Sequence, residues 1–224
     1  MSKIIAIIPA RGGSKRLPRK NILPLGGVPL LSRVIKTARN SDLFDKIVVS
    51  SEDDEILRLA KKEGAIAHAR PVELASDRST VVDVCVEALG LFPSDYFCCI
   101  YPTAAMLSEK TLDLSSRNFF SDKSKRVLMG VSKFNHHPVQ ALTLDECGNA
   151  RLLFPEYERL QSQFYPVARV SNGTFYWAKV GSFLREQTFY SNALGLFDVP
   201  QNEAFDLDTP DDYDKLVGAY EATL

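Results

Sequence analysis

Residues 7–21, IIPARGGSKRLPRKN, gather Arg11, Lys15, Arg16, Arg19 and Lys20 around two glycines and a serine, with no acidic side chain among them. Cations at this density need an anion to face. Arg11, the Gly12–Gly13 turn, the Ser14 hydroxyl and Lys15 follow one another directly, and together they are the donor set of a phosphate cradle. Glycines let backbone N–H groups come close, and the charged groups neutralise the oxygens. A polyphosphate engages several of them at once, at about 1.5–3 kcal/mol for each charge-assisted contact. The chain has no GxxxxGK[ST] and no GxGxxG followed by a ribose-binding acid, so the two commonest nucleotide signatures are excluded.

The second concentration of chemistry lies near the other end, where AFDLDTPDDYDKL carries five aspartates. In an extended segment Asp206 and Asp208 project to one side, because residues two apart share a face. Thr209-Pro210-Asp211-Asp212 reads as a helix start, with Thr at the N-cap, Pro at the first helical position and an acid at the third. The helix takes up Asp211 and Asp212. Asp206 and Asp208 are left to hold Mg²⁺ between themselves, phosphate oxygens and water.

Such groups need a rigid frame. Residues 3–9 form a continuous isoleucine-rich run of the kind found in a parallel strand covered on both faces, and the glycine loop follows it directly. Leu31, Val34, Ile35 and Ala38 recur at helical spacing; KIVVSS (46–51) reads as a strand, and EDDEILRLAKK as a helix with acids at its start. AIAHAR, a helix marked by Val81, Val84, Cys85 and Ala88, and the buried strand DYFCCIY continue the alternation. The expectation is a single α/β domain spanning 1–224, with a Rossmann-like, doubly wound, mostly parallel sheet. From about 126 to 177 the rhythm changes to strands, turns and aromatic residues, which reads as an inserted β-rich subdomain.

Composition narrows the partners. A chain of 224 residues with a formal net charge of -1 lacks the broad basic face of a nucleic-acid binder, so the basic loop is local and its partner is a small anion. The four cysteines include no CxxC pair and read as core filler. No signal peptide or membrane-spanning run is found, and the expectation is a soluble cytoplasmic protein.

IIPARGGSKRLPRKN resembles the opening motif of the nonulosonic-acid cytidylyltransferases, the CMP-sialic acid and CMP-pseudaminic acid synthetases. VVSSEDDEI, ARPVELASDRST, YPTA and FDLDTPDDY are similar to later motifs of the same family. The resemblance implies that CTP and a nine-carbon 2-keto sugar acid give CMP-sugar and pyrophosphate with Mg²⁺, in a homodimer built through the inserted subdomain. It implies that Arg11 and Lys15 grip the phosphates, that Lys20 neutralises the departing pyrophosphate, that Asn21 meets ribose or phosphate, and that Arg70 and Ser79 meet the cytidine. Tyr101 stands where CMP-sialic acid enzymes usually carry Gln, and QSQFYP resembles the pseudaminic branch, whereas Asn172–Gly173 is of the sialic type. Tyr101 and Gln163 are the residues expected at the sugar. The alternatives are a cytidylyltransferase for an eight-carbon 2-keto sugar acid and a non-catalytic CTP-sensing module.

Overall fold

The structure, a computed structural model, describes residues 2–223. Strand β1 (Ile4–Pro9) runs into the basic loop, after which the short pair β2 (Pro24–Leu25) and β3 (Val28–Pro29) leads into helix α1 (Leu30–Asn40). Then come β4 (Lys46–Ser51), α2 (Asp54–Lys62), β5 (Ile66–Ala69), α3 (Val81–Leu91), β6 (Tyr96–Ile100) and α4 (Glu109–Ser121). Beyond them lie β7 (Val127–Ser132), a small hairpin of β8 (Leu142–Leu144) and β9 (Ala150–Leu152), then β10 (Val170–Lys179), α5 (Val180–Glu186), β11 (Leu194–Asp198) and α6 (Pro210–Glu221).

Seven strands form one sheet in the order β11-β7-β10-β6-β1-β4-β5. Strand β1 pairs in parallel with β4 on one side and β6 on the other, with Ile7 opposite Val48 and Cys99. Strand β10 runs antiparallel to both of its neighbours, while β11 is parallel to β7. The continuous apolar character of β1 follows from this central place. Ala6 and Ile8 pack under α1, α2 and α4, and Ile5 and Ile7 pack under α3 and α5 on the opposite face. Each buried isoleucine contributes about 1.5–3 kcal/mol relative to exposure. The sheet is therefore doubly wound and mostly parallel, as the sequence indicates.

The β-rich segment is narrower than the 126–177 expected. Strands β7 and β10 belong to the central sheet, so what leaves it is 133–169, which carries the β8–β9 hairpin and three short 3-10 turns. One cysteine also differs from expectation. Cys85, Cys98 and Cys99 are buried, but Cys147 is exposed on the hairpin turn. No helix among the described residues is long and apolar enough to cross a membrane.

A third, smaller apolar cluster joins distant parts of the chain. Leu17 from the basic loop, Leu25 and Leu30 around the β2–β3 pair, Ala105, Leu207 and Leu216 of α6 pack together, and Leu207 is fully buried. Tyr213 of α6 donates its hydroxyl to the Pro24 carbonyl, and the Arg33 guanidinium lies 4.4 Å over the Tyr220 ring. Burying Leu207 between Asp206 and Asp208 is what brings these acids to the loop that follows β1.

Candidate active site

Strand order reverses at β1. The chain moves from β1 to β4 and β5 on one side, then crosses to β6 on the other, and open α/β sheets bind ligands at the carboxyl ends of strands flanking such a point. A cleft of about 290 Å³ lies there, bounded by the loop after β1, the turn after β6 and the 70–81 segment. Arg11, Ser14, Lys20, Asn21, Arg70, Ser79 and Tyr101 all line it.

The basic loop is held from several sides. Arg19 adopts a left-handed conformation, φ 57°, which a non-glycine residue adopts at a cost. Its guanidinium spans Asp53 and Glu55, each at 2.5 Å. Asp53 is also the N-cap of α2, accepting from the Glu55 and Ile56 amides at 2.9 and 3.1 Å, and Arg19 together with these amides keeps its carboxyl below the ordinary range. The acids read from sequence as a helix start thus also anchor the loop.

The expected phosphate ligands divide into two groups. Arg11 and Lys15 both reach Asp77, Arg11 at 3.2 Å, and this pairing, led by Lys15, lowers the Asp77 carboxyl. The Ser14 hydroxyl is buried with no hydrogen-bond partner in the protein. The Gly12 amide, by contrast, is committed to Glu52 Oε1 at 2.8 Å, which removes it as a phosphate donor. A Cβ on Gly12 would lie 2.5 Å from Asp53 Oδ2, whereas one on Gly13 meets nothing within 4 Å. Close packing fixes the first glycine; the second faces open space.

Some expected contacts serve the loops themselves. Asn21 is buried and one N–H of its amide donates to the Arg11 carbonyl at 2.8 Å, so it helps to set the loop at the cleft's edge. Ser79 donates to the Glu73 carbonyl at 2.7 Å and shapes the 72–79 segment. The Arg70 side chain is 3% exposed and paired with Glu52 at 2.8 Å, so it enters the cleft wall as a neutralised guanidinium. Gln163 does not line the cleft: it is exposed on the 133–169 segment and donates to Gln161 at 2.7 Å.

The acid pair joins the basic loop at Lys20. Its ammonium donates to the Leu207 carbonyl at 2.6 Å and to Asp208 Oδ1 at 3.2 Å, and Arg16 meets the same oxygen at 2.8 Å. Asp206 keeps a solvent-facing edge, yet its carboxyl is raised above the ordinary range, first by loss of hydration and then by the charge of Asp208. Thr209 and Asp212 form the capping box of α6, which takes Asp212 out of the pair's service. The Asn172–Gly173 dipeptide interrupts β10 pairing, and Gly173, at φ 63°, lets the chain pass so close to Asp206 that a Cβ would lie 3.5 Å from Oδ1.

Tyr101 stands at the mouth of the sheet, its N–H bonded to the Thr174 carbonyl. Burial raises its phenol well above the usual value, with Cys99 and Tyr176 adding to the effect, so it remains a neutral hydroxyl. Tyr176 shares a 2.6 Å hydrogen bond with Ser171 and stacks on Phe189 with centroids 4.4 Å apart.

The model of a family described as cytidylyltransferase matches residues 5–214. The chain belongs to the cytidylyltransferase family. It is 34% identical over 216 residues to a pseudaminic acid cytidylyltransferase of Campylobacter jejuni, covering 94% of this chain and 93% of that one. It is 28% identical to an N-acylneuraminate cytidylyltransferase of Streptococcus agalactiae, over 96% of this chain and 53% of that one. Both relatives bear out the resemblance to the nonulosonic-acid branch. In fold the chain is similar to a CMP:2-keto-3-deoxy-manno-octonic acid synthetase complexed with CTP, with TM-score 0.71 at 17% identity over the whole of both chains. It is also similar to a 4-diphosphocytidyl-2C-methyl-D-erythritol synthase of Anaerococcus prevotii, with TM-score 0.70 at 11% identity, over 98% of this chain and 96% of that one. At such identities these cytidylyltransferases speak for the fold alone.

Proposed function

We propose that this cytidylyltransferase joins CTP to a nonulosonic acid, with pseudaminic-type sugars favoured, and releases pyrophosphate. The observation that carries the reading is the contact at the edge of the cleft, where Lys20, which lines it, bonds to Asp208 at 3.2 Å, while Asp206 and Asp208 stand just outside its lining. Two relatives that carry pseudaminic acid in their names, each matched over 93% of its length, support the sugar class.

The chemistry is one displacement. The sugar's anomeric oxygen forms a bond to the α-phosphorus of CTP as the bond to pyrophosphate breaks, and the hydroxyl proton passes to solvent. Catalysis then rests on positioning and on neutralising charge. Arg11 and Lys15 exchange Asp77 for phosphate oxygens, and the unpartnered Ser14 hydroxyl donates to another. Lys20 meets the charge that gathers on the leaving group.

Asp206 and Asp208 fit a divalent cation. They are two hard oxygen donors two positions apart, and the loss of hydration and the neighbouring Asp208 charge that raise Asp206 are both offset by a positive ion. Among the described residues no cluster of three or more His, Cys, Asp or Glu is able to hold a metal alone, so phosphate oxygens and water complete the set. When bound, Mg²⁺ supplies charge neutralisation at the phosphates. For the expected homodimer we favour the 133–169 segment, whose hairpin pairs only with itself and which exposes Leu142, Leu144, Phe164 and Val167.

The test is incubation with CTP, Mg²⁺ and pseudaminic, legionaminic, N-acetylneuraminic and eight-carbon 2-keto acids in turn, with mass detection of the CMP conjugate. A conjugate with the nine-carbon acids, pseudaminic acid foremost, is expected. Product from the eight-carbon acid alone moves the substrate class. CTP binding without product from any sugar turns the reading to a nucleotide-binding module.

A further inference from the structure

Glu52 follows β4, the parallel neighbour of β1, and sits behind the cleft wall with its side chain 16% exposed. Its two carboxylate oxygens face different segments. Oε1 accepts from the Gly12 amide at 2.8 Å, at the start of the phosphate loop. Oε2 accepts from Arg70 Nε at 3.2 Å and Nη2 at 2.8 Å, where the 70–81 wall begins. Neither contact belongs to the sheet ladder; Asp77 of the wall also meets the loop, through Arg11 and Lys15, but at an exposed rim, whereas Glu52 holds both segments from behind.

We propose that Glu52 is a positioning residue that ties the inner ends of the phosphate loop and the base-side wall, behind the exposed Asp77 contact, so that its carboxylate sets how Gly12 and Arg70 face the two ends of the bound nucleotide. The proposal rests on reading the cleft as the CTP site. Three physical features support it. Arg70 is a buried cation whose neighbouring charge is Glu52, and a guanidinium without its partner would leave the wall. The Gly12 Cα packs so close to Asp53 that a Cβ there would lie 2.5 Å from Oδ2, which leaves this end of the loop little room to shift. Third, Gly13 and Ser14 continue directly from Gly12, so the direction of its peptide fixes where the open glycine and the unpartnered hydroxyl are presented.

Titration calorimetry with cytidine alone and with inorganic tripolyphosphate alone separates the two ends. In Glu52→Gln one oxygen becomes an N–H donor facing a donor, and both ligands are expected to bind about tenfold more weakly, equivalent to losing one hydrogen bond of about 1.4 kcal/mol. In the double variant Glu52→Gln with Arg70→Met the buried cation is gone, and the amide oxygen turns to the Gly12 N–H. Tripolyphosphate affinity then recovers to within about threefold of wild type while cytidine stays weak, a split that a general loss of stability does not produce. The proposal falls if Glu52→Gln binds both probes like wild type, or if the double variant does not recover tripolyphosphate. Should the single variant not fold, the double variant decides alone. If wild type binds neither probe nor CTP, the cleft reading fails instead.

Discussion

The loop after β1 and the segment before α6 carry opposite charges and treat them differently. In the loop every anchoring cation has a protein carboxylate at hand: Arg11 and Lys15 share Asp77, and Arg19 spans Asp53 and Glu55. In the acid segment Asp208 is shared by Arg16 and Lys20, while Asp206 is left raised and short of positive charge. On the function proposed above, Asp77 in the first region stands in for an anion that phosphate would replace. On the same reading, the second is where a cation from outside the chain would bind. A magnesium nucleotide answers both needs together.

The residue joining the two regions should show the largest effects. Asp208→Asn is expected to abolish Mg²⁺-dependent pyrophosphate release, and turnover of the variant at wild-type rate in excess chelator would show that the acids are not metal ligands. Lys20→Ala should lower kcat by about 10²–10³-fold, the loss seen when one preorganised charge-stabilising donor is removed. Its melting temperature should scarcely change, because the hydrogen bonds of the ammonium among the described residues are to the Leu207 carbonyl and to Asp208, which Arg16 also pairs. A variant that loses stability in step with activity would make Lys20 a strut.

The neighbouring glycines divide the loop itself. Gly12→Ala drives a Cβ to 2.5 Å from Asp53, the cap of α2, and should destabilise the fold by about 1–3 kcal/mol. Gly13→Ala meets nothing in the protein, so denaturant unfolding should match wild type. Its affinity for CTP should nonetheless fall about tenfold, since the methyl stands where phosphate approaches. Unchanged CTP affinity in Gly13→Ala would move the phosphates elsewhere.

These distinctions lie beyond the sequence, and the reason is physical. Residue type announces a cation or an acid, so Arg11, Lys15, Lys20, Asp206 and Asp208 are legible as a set. The partner of each is fixed by approach across the sheet. Glu52 and Asp77 escape notice because an acid beside a helix start or in a polar loop reads as solvated, and only the fold brings them to Gly12, Arg70 and Lys15. The continuous apolar runs of β1, β4 and β6 make the sheet legible, and Thr209-Pro210-Asp211-Asp212 gives the cap of α6. The extent of the insertion is not legible, because β10 pairs with β6 across more than seventy residues and its composition matches that of the hairpin region. Gln163 sits in a segment whose local resemblance says nothing of its distance from the cleft, and the structure places it outside the lining.

Asp77 tests the stand-in directly. If it occupies the place of a phosphate oxygen between Arg11 and Lys15, Asp77→Asn should raise CTP affinity about two- to fivefold by removing a competing exposed ion pair. The gain should shrink as salt is added. Weaker CTP binding in the variant would show that Asp77 holds the cations in place for the nucleotide.

The smallest effect is expected at Asp206, and its sign is the most telling. Its folded-state carboxyl is raised, so the fold takes up a proton more readily than the unfolded chain and is penalised when Asp206 is ionised. In the absence of Mg²⁺ at neutral pH, Asp206→Asn should therefore melt slightly higher than wild type, by about 1 °C for an exposed-edge group in a chain of this size. The advantage should fade as pH falls through the raised value and Asp206 becomes neutral in the wild type as well. Adding Mg²⁺ with CTP should reverse the order, because ligand binding stabilises only the protein that can bind it. A variant that melts lower than wild type without metal would mean that Asp206 already has its partner in the protein, and the acid segment would then be as fully paired as the loop it faces.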